Sequence, residues 1–261
     1  MTIIQSIILG IVQGLTELLP ISSSAHLYII PTIFKWSIPE SFDVALHFGT
    51  LMAIAIFFFK DWIKLITAGY KQVVKKEKTT EGRMFWYLVA ATIPGGILGL
   101  LCDKFFDFEN FYIIGIALIV MGILLYVVDK KCKSDINYEN MNFKQTFLIG
   151  FSQALAFIPG VSRSGVTMTA GRLMGVDRES TARYSFMLSA PIVLGATLYK
   201  AMDFVGNIDL AFILGVLFSF LVGIAVIKFL LDYLRKGSFK VFAIYRVILG
   251  VVIIIYTLIN I

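Results

Sequence analysis

Six apolar runs decide most of what this chain can become. Residues 42–59, 84–101, 111–128, 184–202, 210–231 and 241–259 are dominated by hydrocarbon side chains. Each approaches or exceeds the roughly 17–25 residues that a helix needs to cross the hydrocarbon core of a bilayer. Six such runs in 261 residues, at 58% hydrophobic and 15% charged, leave no room for a soluble core with a polar surface. The pattern predicts an all-α polytopic membrane protein with six transmembrane helices. Two further apolar stretches, 3–19 and 147–158, are each followed by proline and then by serine- and glycine-containing sequence. They read as re-entrant, broken helices. The N-terminus has no basic region and no small-residue cleavage site, so 3–19 is expected to stay in the mature protein.

A net charge of +6 raises the question of nucleic acid, but the cations sit between the spans. The loop 60–83 holds Lys60, Lys64, Lys71, Lys75, Lys76, Lys78 and Arg83, the loop 130–144 holds four more lysines, and Arg235, Lys236 and Lys240 mark a third cluster. The connections 103–110 and 203–209 hold only Lys104. Basic loops stay in the cytoplasm, so three loops are expected inside and two outside, and no nucleic acid is implied. Cys102 and Cys132 lie at opposite ends of one span and are expected not to pair.

A weak internal repeat organises the chain. LGIVQGL at 9–15 lies over IGFSQAL at 149–155, and LPISSS at 19–24 lies over IPGVSRS at 158–164, with a one-residue slip at the proline. Gly10 matches Gly150, Gln13 matches Gln153 and Pro20 matches Pro159. Three spans follow each copy, an odd number, so residues 143–261 are expected to repeat 1–130 upside down within one membrane domain. In that layout half-helix ends meet near the midplane and build a polar site from irregular backbone that the protein itself surrounds.

The reactive side chains cluster at the two breaks. Gln13 and Glu17 are four apart and share a helix face, and a carboxylate at membrane depth is a functional residue by default. The serines of SSSAH at 22–26 can cap a return helix, while Ser22 and Ser23 are also spaced to meet His26, whose imidazole suits proton transfer near neutrality. The second break carries PGVSRSGVT at 159–167. Arg163 offers a planar fork of donors for phosphate oxygens, Ser162, Ser164 and Thr167 add hydroxyls, and Gly160 and Gly165 let backbone approach closely. An Arg163–Glu17 pair that satisfies both charges and opens when an anion arrives is compatible with either role. His47 is expected to face a neighbouring helix rather than a ligand. Pro94 to Gly96 reads as a kink with close packing, and Arg172, Arg178 and Arg183 read as topological charges.

QGLTE at 13–17 with LPISSSAH at 19–26, FDVALHFGT at 42–50, PGVSRSGVT at 159–167 and FMLSAP at 186–191 together resemble the undecaprenyl pyrophosphate phosphatases of the bacitracin-resistance family, over nearly the whole chain. The resemblance implies a multi-pass enzyme of the bacterial cytoplasmic membrane that hydrolyses a long-chain polyprenyl diphosphate and so recycles the lipid carrier of cell-wall synthesis. It implies a divalent cation, Mg²⁺ or Ca²⁺, on Glu17 and Gln13; the family pattern admits glutamate or glutamine at the latter position, but a glutamine adds no second carboxylate. It also assigns Glu17, Ser23, His26 and Arg163 to catalysis, and Ser22, Ser162, Arg163, Ser164 and Thr167 to phosphate binding. The partners so expected are the lipid diphosphate, the bilayer and a second copy of the chain in a homodimer. Attack on phosphorus by Ser23 oxygen, by His26 nitrogen or by water all remain open at this level. Phosphatidic-acid-type phosphatases are excluded, because Thr169 and Leu173 stand where histidine and aspartate are required. The rival is a transporter of lipid phosphate or another anion, which would need Arg163 but no nucleophile.

Overall fold

In the computed structural model, residues 1–105, 110–133, 135–200 and 209–260 are described. The predicted outer connections at 103–110 and 203–209 therefore fall mostly outside the described residues, as does the Cys102 side chain. The described residues form eleven α-helices: α1 Ile3–Thr16, α2 Ser23–Phe34, α3 Glu40–Phe57, α4 Phe59–Val74, α5 Thr80–Phe105, α6 Phe111–Lys131, α7 Phe143–Ser152, α8 Arg163–Leu173, α9 Arg178–Tyr199, α10 Leu210–Leu234 and α11 Lys240–Asn260. No strand is present among them beyond an isolated bridge between Ile136 and Val176.

Helices α3, α5, α6, α9, α10 and α11 occupy the six apolar runs. By length and hydropathy α6, α10 and α11 each qualify alone as membrane spans, and α3 qualifies together with α4. Helices α5 and α9 are 26 and 22 residues long but are interrupted by Pro94 and Pro191, and α9 buries Ser180, Thr181, Ser185, Ser189 and Thr197. The polar positions of α9 turn inward. On the outer faces of α6 and α11, Ile116, Val120, Ile123, Ile248, Val252 and Ile255 are exposed, as expected of helices that meet hydrocarbon rather than water. The chain is a multi-pass membrane protein.

One predicted loop is a helix. Within 60–83, α4 runs from Phe59 to Val74, bent by 76° from α3. Its apolar residues recur at helical spacing: Leu65 and Gly69 are buried, with Gly69 against Phe85 of α5. Ile63, Ile66, Tyr70 and Val73 stay exposed among Lys60, Lys64 and Lys71. Counting lysines alone hides this period. All three arginines read as topological charges also make specific ion pairs. Asp129 Oδ1 accepts from Arg172 Nε at 3.0 Å and from Arg178 Nε at 2.7 Å, while Oδ2 accepts from the Phe239 amide at 3.1 Å. This buried hub ties the end of α6 to α8, α9 and the start of α11. Arg183 donates to Asp61 at 2.8 Å, linking α9 to α4.

The broken segments 3–34 and 143–173 are built alike. Each opens with a reciprocal capping box, Thr2 with Gln5 and Asn142 with Gln145, which satisfies two otherwise free amides. Each first helix packs on a span of the other half: α1 on α10, and α7 on α5. Gly10 and Gly150 make this possible. A Cβ at Gly10 would run into the Gly215 carbonyl, and one at Gly150 into the Ala91 carbonyl. After its break each segment returns as a helix capped by a serine in left-handed backbone, Ser22 at φ 75° and Ser162 at φ 70°. Such a conformation costs a non-glycine residue on the order of 1–3 kcal/mol and marks a place where the surroundings dictate the backbone.

Candidate active site

The two strained serines fix what comes next. Ser22 Oγ accepts from the Ala25 amide at 3.4 Å and Ser162 Oγ accepts from the Gly165 amide at 3.1 Å. Each also shares a 3.2 Å hydrogen bond with the serine two residues on, Ser24 and Ser164. The residues directly after them, Ser23 and Arg163, are the first residues of α2 and α8. They occupy equivalent positions at the two breaks and converge on one carboxylate.

That carboxylate is Glu17, buried at the end of α1. Its Oε1 accepts from Arg163 Nη2 in a close ion pair. Its Oε2 accepts from Ser23 Oγ at 2.5 Å and from Gln13 Nε2 at 3.3 Å, and lies 3.4 Å from His47 Nε2. His47 Nδ1–H donates to the Asp43 carbonyl at 2.7 Å, so Nε2 can donate to Glu17 only when the ring carries both protons. His47 was expected to face a helix partner, and it faces the carboxylate. The signal lay in the stretch FDVALHFGT, where its imidazole stands between apolar residues in the middle of α3.

His26 is oriented elsewhere. Its Nδ1 donates to the Ser22 carbonyl at 2.7 Å, and Nε2 meets the Tyr245 hydroxyl at 2.7 Å, the two rings stacked at 5.8 Å. A carbonyl can only accept, so neutral His26 carries its proton on Nδ1, and Nε2 accepts from the Tyr245 phenol. The hydroxyl of Ser23 is thus aligned with Glu17 rather than with the imidazole. Tyr245 escaped the sequence reading because it lies in an apolar run far from either motif.

The remaining hydroxyls are engaged in local structure. Ser164 Oγ donates to the Leu19 carbonyl at 3.0 Å across the two breaks, and Thr167 Oγ1 bonds the Arg163 carbonyl at 2.8 Å and Ser185 Oγ at 2.7 Å. With Ser22 and Ser162 acting as caps, these four side chains hold the frame from which Ser23 and Arg163 project. Gln153, the repeat counterpart of Gln13, donates to the Ala91 carbonyl at 3.2 Å and has no acid one turn on. The two breaks differ in what they present: a carboxylate and a hydroxyl on one side, a guanidinium on the other.

Gln13 is completely buried, and its Oε1 has no hydrogen-bond partner. A free carbonyl oxygen beside a carboxylate is a donor pair that suits a hard cation. Among the described residues no group of three or more His, Cys, Asp or Glu side chains could hold a metal by itself. A Mg²⁺ or Ca²⁺ ion held there would take these two protein oxygens and complete its shell from substrate phosphates and water.

Known proteins resemble the chain over nearly its whole length. The profile of the family described as bacitracin resistance protein BacA matches residues 6–252. An undecaprenyl-diphosphatase of Pelotomaculum thermopropionicum is 50% identical over 259 residues, covering 98% of this chain and 97% of that one. Undecaprenyl-diphosphatases of Moorella thermoacetica and Desulforudis audaxviator are 46% and 45% identical, each with 97% or more of both chains covered. The chain belongs to the bacitracin resistance protein BacA family.

Proposed function

We propose that this protein is an undecaprenyl-diphosphatase of the bacterial cytoplasmic membrane, which hydrolyses a long-chain polyprenyl diphosphate to the monophosphate and inorganic phosphate and so returns the lipid carrier to cell-wall synthesis. The observation that carries this is the Ser23–Glu17–Arg163 contact, which brings a hydroxyl, a base and a phosphate-binding cation together from two opposed breaks. A carrier of anions would use Arg163 but would have no need of a hydroxyl held against a buried carboxylate.

In the resting site Arg163 and Glu17 neutralise each other. An arriving diphosphate offers Arg163 oxygens of matching geometry, and the guanidinium turns from Glu17 to the terminal phosphate. Glu17, relieved of its partner, accepts the Ser23 proton as Ser23 Oγ bonds to the terminal phosphorus. The bond from phosphorus to the bridging oxygen breaks, and the polyprenyl monophosphate leaves with that electron pair. Water then attacks the phosphoserine: Glu17 returns the proton it took from Ser23 to Ser23 Oγ as the ester bond breaks, and inorganic phosphate departs with the water's oxygen and its protons. Arg163, and His47 when it carries both protons, stay close to the charge that develops on the phosphoryl oxygens, the main requirement for phosphoryl transfer. A divalent cation, which Gln13 and Glu17 would hold, would supply further neutralisation of that charge. His26, held by Tyr245, borders the Ser22 peptide and shapes the backbone from which Ser23 projects.

The test is phosphate release by pure protein in detergent with polyprenyl diphosphate and Mg²⁺, where no transport can be scored. Release that stops on chelation and is lost in Ser23→Ala is expected. No release by folded wild-type protein, with cation present, would overturn the assignment.

A further inference from the structure

Arg246 lies in α11, in a predicted span, and is fully buried. Its Nη1 donates to the Pro20 carbonyl at 3.1 Å, and its Nη2 donates to the carbonyls of Gly160 and Val161, both at 2.8 Å. Pro20 is two residues before the strained Ser22, and Gly160 is two residues before the strained Ser162. A single guanidinium therefore bridges the equivalent peptides of the two breaks. Among the described residues no carboxylate pairs with it, and its Nε has no partner. An arginine buried in a membrane protein against carbonyl dipoles alone carries a large desolvation penalty. Stability by itself is poorly served by such a residue, because an apolar side chain of similar volume would avoid the penalty.

We infer that Arg246 is a positioning residue that fixes the distance between nucleophile and phosphate holder. It constrains the peptides leading into Ser22 and Ser162, and each of these serines delivers the reactive residue that follows it, Ser23 on one side and Arg163 on the other. Ser164 ties to the Leu19 carbonyl across the breaks by one bond, whereas Arg246 makes three. The same helix places Tyr245 on His26, so α11 meets the first break at two consecutive residues. The inference rests on the assignment of Ser23, Glu17 and Arg163 to the reaction.

The experiment compares Arg246→Lys and Arg246→Met with wild type in detergent, reading the folded fraction, kcat per folded molecule and KM. Lysine keeps the charge but has no planar fork with which to reach both breaks. Displacement of reacting groups by about 1 Å can lower rate about 100-fold, so kcat is expected to fall by about that factor in both variants with KM changed less than about threefold. Lysine is expected not to rescue. Unchanged kcat per folded molecule would show a merely structural residue. Full kcat in Arg246→Lys with only KM raised in Arg246→Met would show a cation that attracts substrate; either result overturns the inference. If Arg246→Met does not fold, the kcat and KM of Arg246→Lys decide by the same criteria. Ser23→Ala is run in parallel: turnover retained there overturns the site assignment, whereas unchanged kcat in the Arg246 variants overturns the positioning role alone.

Discussion

At the scale of single residues, Glu17 carries the most. It accepts from Ser23 and pairs with Arg163, so its replacement removes the base and leaves a buried guanidinium without its partner. General-base catalysis is worth about 100- to 10,000-fold, and Glu17→Gln is expected to lower kcat by a factor in that range while the protein still folds. Steady-state phosphate release checks it, and activity within a few-fold of wild type would remove Glu17 from the mechanism. Glu17, Ser23 and Arg163 were legible in the sequence because ionisable and nucleophilic groups stand out in apolar surroundings. The pairing of Ser23 with Glu17 instead of His26 was not. Spacing along a helix puts Ser23 and His26 within reach of each other, but it says nothing of the Tyr245 hydroxyl that arrives from α11. Arg246 stayed hidden for the same reason, since its partners are backbone carbonyls, which leave no signature in a side-chain pattern.

At the scale of elements, the two breaks depend on helices that approach each other closely. Gly150 sits against the Ala91 backbone where α7 crosses α5. Overpacking such a contact costs about 1–3 kcal/mol, so Gly150→Ala is expected to lower the thermal transition measurably and to leave a smaller defect in turnover. A transition unchanged in a melting experiment would mean that the crossing is looser than the structure indicates. The repeat had already paired Gly10 with Gly150, and their shared role as crossing points gives that alignment a physical reason. Helix α4 was the least legible element. Its lysines dominate a charge count, and its apolar stripe becomes meaningful only with the 76° bend that turns it away from α3. Asp129 was equally silent: one acid at a span end gives no hint that two arginines and an amide converge on it.

At the scale of the whole molecule, the account is one of two halves that complete each other. From the charge distribution the α2–α3 connection is expected outside the cell and the end of α4 in the cytoplasm. In a background with both native cysteines replaced, Cys102→Ser and Cys132→Ser, Ser37→Cys is expected to react with a membrane-impermeant thiol reagent added to intact cells, and Lys76→Cys only after permeabilisation. Both positions are exposed, so labelling in the reverse pattern would invert the topology. The number and order of spans were readable from hydropathy because bilayer thickness sets helix length. The meeting of the halves was readable only as a coarse expectation, since a repeat states equivalence and not contact. The central claim is that Ser23, deprotonated by Glu17, takes the phosphoryl group, and a rapid acid quench tests it most directly. Polyprenyl diphosphate radiolabelled in its terminal phosphate is mixed with enzyme, and the labelled peptide is identified by mass spectrometry. An acid-stable phosphate ester on Ser23, absent from Ser23→Ala, is the predicted result; an acid-labile label recovered on His26 from a parallel alkaline quench, or full turnover by Ser23→Ala, would contradict it.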